Sequence, residues 1–360
     1  MKALEGVQVI DFTQLLPGPA ATRLFADFGA EVIKIEPPGG ESTRRIGPFS
    51  QGQSAVFTEL NRGKKSVIAD LRNEGDRARV MALCASADVV IEGFRPGVMQ
   101  RLGLGFDELS KRNPRLIYVA VTGFGQAGEH ALRAAHDINY LALTGVLDLI
   151  GVADGPPVIP GCQAGDITGA LHAVIGTLLA MVVREKTGRG QFVDVSIAHA
   201  AASLMAIPRA VLGAGQPPRR GNELLSGRYA CYGLYATADG RWVAVGALEP
   251  KFWSALCVLL GCEDLIPHQF DEGDQRLRAI ARLRAIFCTR TGAEWEELCR
   301  GKDVCVTPVL TLAEALGWMG ETSMPRLSQT PAAPGLRAPT AGEHTTELFG
   351  SGYEGSSSPR

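Results

Sequence analysis

The chain lacks the residue spacings that announce a metal centre or a redox pair. Its eight cysteines, at positions 84, 162, 231, 257, 262, 288, 299 and 305, form no Cys-x-x-Cys pair, and no His-x-x-x-His or His-Glu-x-x-His accompanies them. A zinc site and a disulfide framework therefore have no support, and reduced, mostly buried thiols are expected. Charge imbalance is missing as well. With 36 basic residues against 38 acidic ones and a net charge of -2, nothing pulls the chain toward nucleic acid or anionic lipid, so neither is expected as a partner. No Gly-x-Gly-x-x-Gly fingerprint opens a helix after a strand, and no Walker-type loop occurs, so nicotinamide and nucleoside triphosphate chemistry are not supported. The start, Met1-Lys-Ala-Leu-Glu-Gly, has no apolar secretory core, and the end, Ser-Ser-Ser-Pro-Arg, is no peroxisomal Ser-Lys-Leu address. The cytoplasm is the expected compartment. The longest uncharged stretch near the middle, Ile167 to Val183, contains Thr168, His172 and Thr177 and is short for a bilayer, which takes about 20 apolar residues. It reads as a buried core helix, with no membrane partner.

What is present is a pattern of alternating strands and helices. Val7 to Phe12 reads as a strand, Pro17-Gly18-Pro19 as a turn, Ala20 to Phe28 as a helix and Glu31 to Glu36 as a second strand, which makes a βαβ unit. Ser66 to Leu71, Asp88 to Glu92 and Leu116 to Val121 continue the strands, with a helical period over Glu74 to Ser86. A mostly parallel, helix-covered, Rossmann-like sheet follows from the right-handed crossover rule. At 360 residues the chain exceeds one ordinary core, so two domains are expected. We place a large domain over residues 1–200, completed by 316–360, a linker over 201–219 and a small α+β domain over 220–315. In the latter, Tyr232 to Ala236 and Trp242 to Val245 flank the Asp239-Gly240 turn of a hairpin. Helical patterns follow over Phe252 to Leu260, Arg276 to Phe287 and Ala293 to Cys299. The tail beyond Thr340 lacks apolar anchors and is expected to be mobile at its end.

Candidate chemistry gathers at three residues. Asp166, in Gly165-Asp-Ile-Thr-Gly, immediately precedes the long apolar helix. It reads either as a plain N-cap or as a carboxylate beside helix-start N–H groups that face a substrate carbonyl. His136, ahead of the apolar segment Ile138 to Leu143, is either structural or a general base, which needs an orienting acceptor. Glu249 is a carboxylate that suits that part, or simply the start of the helix after Pro250. Arg62, Lys64, Lys65 and Arg95 border strand ends of the large domain, where open α/β sheets take their ligands, so a phosphate-bearing ligand fits there as well as an ordinary solvated turn does.

These segments resemble the class III CoA-transferase superfamily, and within it the α-methylacyl-CoA racemases. The likeness runs from Asp11-Phe-Thr-Gln-Leu-Leu-Pro-Gly-Pro through Ile91-Glu-Gly-Phe-Arg-Pro-Gly-Val, Arg101-Leu-Gly-Leu-Gly, Val121-Thr-Gly-Phe-Gly-Gln and His136-Asp-Ile-Asn-Tyr to Gly165-Asp166. It continues in Asp239-Gly-Arg-Trp-Val-Ala-Val-Gly-Ala-Leu-Glu-Pro-Lys-Phe and Cys305-Val-Thr-Pro-Val, so it covers nearly the whole chain. The resemblance implies a Rossmann-like large domain, a small domain and an interlocked homodimer, with His136 and Asp166 from one chain and Glu249 from the other. It implies an acyl-CoA substrate from lipid metabolism, CoA contacts from Arg62, Lys65, Arg95 and Tyr140, and no separate cofactor or metal. Racemisation would move the α-proton between His136 and Asp166. In the neighbouring transferase chemistry, the Asp at 166 attacks the thioester instead.

Overall fold

The computed structural model describes residues 1–320 and 324–350. The expected mobile end beyond residue 350 lies outside them. Contacts divide the chain into two compact units. The first comprises residues 1–146, 160–206 and the C-terminal segment from 322, and the second residues 147–159 and 207–321. The second unit thus takes in two pieces assigned from sequence to the large domain, 147–159 and the start of 316–360.

The first unit is built on six strands: β1 (Gln8–Asp11), β2 (Glu31–Glu36), β3 (Lys65–Ile68), β4 (Val89–Glu92), β5 (Ile117–Thr122) and β6 (Phe192–Ser196). They lie in the order β3-β2-β1-β4-β5-β6, every neighbouring pair parallel. This is the doubly wound order, and its switch point falls between β1 and β4. Side chains alternate across the sheet, as the two-residue period demands. Val9, Val32, Val89, Ile91, Ile117, Val119 and Val121 enter one core and Ile10, Ile33, Ile35, Val67, Val90, Tyr118 and Ala120 the other. Burial on both faces is why these strands read as nearly continuous apolar runs.

Helix α1 (Pro17–Asp27) opens with proline at its first position, where no N–H is needed. Helix α2 (Glu74–Ser86) is capped by the Asn73 side chain, which accepts the N–H of Asp76. Helix α3 (Asp137–Leu143) and helix α4 (Ala164–Thr187) follow β5. The expectation of a buried core helix after Asp166 is corrected here. The small residues of α4, Gly165, Gly169, Ala170, Ala173, Thr177 and Ala180, pack on the domain, and buried Arg184 donates to Asp88 Oδ1 at 2.9 Å. The large apolar residues face outward: Ile175 is 52% exposed, Leu179 62% and Val182 55%, with Ile167, Leu171, Leu178 and Val183 beside them. The helix is long and apolar enough to cross a membrane by length and composition, yet one face is a layer of this α/β unit.

Beneath the switch point lies a buried charge network. Asp11, at the end of β1, accepts bonds from Thr13 N (2.8 Å), Thr22 Oγ1 (2.6 Å) and Lys64 Nζ (3.1 Å). Lys64 Nζ also donates to Asn61 Oδ1 at 2.8 Å, and Lys34 Nζ donates to the Thr13 carbonyl at 2.7 Å and pairs with Glu41 at 2.8 Å. Burial raises the Asp11 carboxyl, but Lys34 and Lys64 outweigh it and hold Asp11 well below the usual range. Burial pushes Lys64 down to about 8, against the pull of Asp11. Removing one partner strands a buried charge, so Lys64→Met is expected to lower stability by about 3–5 kcal/mol, read as an earlier urea midpoint. An unchanged midpoint would show that the ion pair does not secure this corner.

In the second unit, β7 (Tyr232–Ala236) and β8 (Trp242–Gly246) form the expected antiparallel hairpin, and β9 (Val306–Pro308) adds to β8. Helices α5 (Pro250–Leu260), α6 (Gly273–Phe287) and α7 (Gly292–Cys299) enclose a core of Trp253, Leu256, Leu283, Phe287 and Trp295. All eight cysteines are free, with Cys162, Cys288 and Cys305 exposed and the other five buried.

Candidate active site

A cleft of about 460 Å³ opens beyond the carboxyl ends of β1, β4 and β5. Its walls come from the turn after β1 (Thr13, Gln14, Leu15), the loop after β4 (Phe94, Arg95), the end of β5 with its following segment (Thr122, Gly123, Arg133, Ala135, His136) and the helix residues Tyr140 and Asp166. The turn is tight. A Cβ on Gly18 would stand 2.1 Å from that of Thr13, and Leu15 holds a left-handed φ of 64° that leucine seldom adopts. Gly123 is equally constrained, since a Cβ there would come within 2.7 Å of the Tyr140 hydroxyl.

His136 is the N-cap residue of α3, and its N–H donates to Asn139 Oδ1 at 3.0 Å. Its ring is thereby placed at the cleft wall while the side chain stays accessible. Tyr140, one turn on, donates its hydroxyl to the Ala135 carbonyl at 3.0 Å and packs edge-on against Phe124. Asp166 is the third residue of α4, not its N-cap, which is Gln163. The cap chemistry comes from elsewhere: Asp137 Oδ1 accepts the N–H of Asp166 at 2.9 Å, and Gly165 leaves room for that approach. The N–H of Asp166 is therefore spent and offers nothing to a substrate oxygen. Its carboxyl group is half-buried on the cleft wall and accepts no hydrogen bond among the described residues. Burial, then the neighbouring Asp137 charge, pushes Asp166 up to about 6, with His136 pulling the other way.

The other candidates separate. Arg95 and Tyr140 line the cleft. Arg62 instead forks onto Asp27 at 2.6 and 3.0 Å, and Lys65 pairs with Glu31 and Glu347 at 2.7 Å each. Neither reaches the cleft wall. Glu249 belongs to the second unit as the N-cap residue of α5, exposed and with no cap bond from its side chain. Sequence reasoning passed over Asp137 as a mere neighbour of His136, and it missed Thr122 and Arg133. A second hollow of about 230 Å³ lies toward β2 and β3, walled by Phe12, Pro37, Pro38, Leu71, Arg72 and Leu102. It shares Gln14 and Phe94 with the cleft.

The cleft at the switch point of a doubly wound sheet thus brings together His136, Asp166, Arg95 and Tyr140. Residues 4–345 match the model of CoA-transferase family III, and the chain belongs to that family. It is 36% identical over 368 residues to human alpha-methylacyl-CoA racemase, covering 96% of this chain and 92% of that protein. It is also 37% identical to the acetyl-CoA:oxalate CoA-transferase of Acetobacter aceti, over 86% of this chain and 82% of that protein. The crystal structure of a CAIB/BAIF family protein from Brucella suis superposes with a TM-score of 0.84 at 30% identity, covering 96% of this chain and 98% of that one.

Proposed function

We propose that the chain is a racemase that interconverts (R)- and (S)-2-methylacyl-CoA thioesters by exchange of the α-proton through an enolate. The observation that carries this reading is that His136 and Asp166 line one cleft, with Asp166 poised near pH 6 between acid and base. One residue removes the α-proton while the other returns a proton to the opposite face, and in the reverse direction they exchange parts. The enolate oxygen needs a donor worth about 3–4 kcal/mol. The N–H of Asp137, beside His136 and without a partner among the described residues, takes that part in place of the spent N–H of Asp166. The acyl end of the substrate would occupy the larger hollow, near Arg95 and Tyr140. The nucleotide end of CoA would follow the shared wall of Gln14 and Phe94 into the smaller one. CoA enters as part of the substrate, and the exchange as written uses no metal or prosthetic group.

Proton NMR in D₂O with (S)-2-methylacyl-CoA and no acceptor acid tests the reading. Wash-out of the α-proton together with loss of configuration supports it. The second reading, a CoA transferase, is favoured by the identity to the oxalate enzyme of A. aceti and by the accessible Asp166. There the carboxylate attacks the thioester carbonyl, CoA thiolate leaves, and the thiolate returns to form aspartyl-CoA as the acid departs. No exchange in D₂O, followed by CoA transfer on adding a free carboxylic acid, would establish that chemistry instead.

The pH dependence has a definite form. Each direction needs the His136–Asp166 pair to hold one proton, so the rate is bell-shaped in pH and the same for both enantiomers. A rate that climbs steadily from pH 5 to 9 would remove Asp166 as a proton donor. For assembly, the reading adds a second copy of the chain over the apolar face of α4, with Glu249 supplied from that copy to orient His136. It also adds residence in the cytoplasm. Light scattering at micromolar concentration is expected to give twice the 38.2 kDa chain mass; a monomer mass would overturn the assembly.

A further inference from the structure

The carboxyl edge of the sheet holds a row of polar groups that the proton exchange does not use. Glu92 closes β4, and in register it faces Ala120 of β5, which in turn faces Asp194 of β6. Two carboxylates therefore stand on the same side of the sheet, two strands and roughly 10 Å of backbone apart. The small Ala120 side chain between them adds no bulk. Each carboxylate holds a loop. Glu92, buried to 5% exposure, accepts the N–H of Phe94 at 2.7 Å. Asp194 accepts the N–H of Gln126 at 3.0 Å, and Gly125 keeps the approach clear.

Each of the two loops forms part of the cleft wall. The first carries Phe94 and Arg95, and the second leads from Gly123 through Arg133 to His136. We infer that Glu92 and Asp194 are positioning residues: Glu92 sets the loop that receives the acyl-CoA, and Asp194 sets the segment that delivers His136. The row is an electrostatic unit. Burial pushes Glu92 up to about 7 against the pull of the Phe94 N–H, and the Asp194 charge adds a smaller push. Polar atoms around it are left open: Tyr118 Oη, Thr122 Oγ1 and Gln126 Nε2 are buried without partners among the described residues. Such donors beside carboxylates are the usual places of ordered water.

This inference rests on the cleft's binding acyl-CoA, and the experiment separates the two. Calorimetry of wild-type enzyme with free CoA comes first, and absence of binding there would sink the acyl-CoA reading itself. With binding in hand, Glu92→Ala is expected to raise the CoA Kd and the substrate KM about tenfold or more while kcat stays within about threefold. Glu92→Gln, whose amide oxygen still accepts the Phe94 N–H, is expected to stay within about threefold of wild type on both. Asp194→Ala is expected to lower kcat about tenfold with KM nearly kept, and Asp194→Asn to restore it. Glu92→Leu fills the same space without an acceptor and takes the place of the alanine variant if that one does not fold. Equal loss in kcat and KM at either position, or no rescue by the amide variants, would reduce both residues to plain structural parts.

Discussion

Asp166→Ala is expected to lower inversion of 2-methylacyl-CoA by about 10³-fold in both directions, within the range that loss of a general acid or base gives. CoA affinity is expected to stay within about threefold, because the nucleotide end of CoA is assigned to the smaller hollow, whose wall does not include Asp166. The result has a finer signature. His136 remains in place, so the enantiomer whose α-proton points at it still exchanges that proton with D₂O, with retention of configuration. The other enantiomer is inert. In the transferase reading the same variant has no nucleophile, and transfer stops for every acyl donor. Wild-type inversion by the variant would end the two-base mechanism outright.

His136→Ala is the mirror experiment, and a loss of about 10³-fold in inversion is expected here too. The surviving wash-out should now belong to the opposite enantiomer, because Asp166 alone can take its proton. Folding should hold, since the bond that fixes the start of α3 comes from the His136 main-chain N–H to Asn139, which alanine retains. Circular dichroism and the urea midpoint check that point. Identical wash-out patterns in the two variants would count against each residue serving its own face of the α-carbon.

Much of the sheet was legible from sequence because its strands are buried on both faces and announce themselves as apolar runs. β2 and α2 were read at their observed limits. β6 escaped notice: Phe192-Val-Asp-Val-Ser carries a charge at its centre, and that charge, Asp194, is there to hold a loop. Asp166 was placed at the cap by local pattern, whereas the residue that caps it lies 29 positions earlier. No window of sequence holds both. The basic residues misled in the same way: Arg62 and Lys65 meet acids brought in from Asp27, Glu31 and Glu347. The apolar helix was the opposite case. Its composition was read correctly, but composition does not say which face the domain takes and which it leaves.

That outward face has a consequence during synthesis. Domains fold as they leave the ribosome, and exposed apolar surface on a nascent chain invites aggregation. The first unit is also closed late, because Gly63 N donates to the Arg337 carbonyl and Ser66 N to His344. While the rest of the chain is made, α4 would therefore stand uncovered on a unit that still lacks its C-terminal segment. Yield from an expressing cell should then depend on temperature and chaperone supply more steeply than the stability of the finished enzyme suggests.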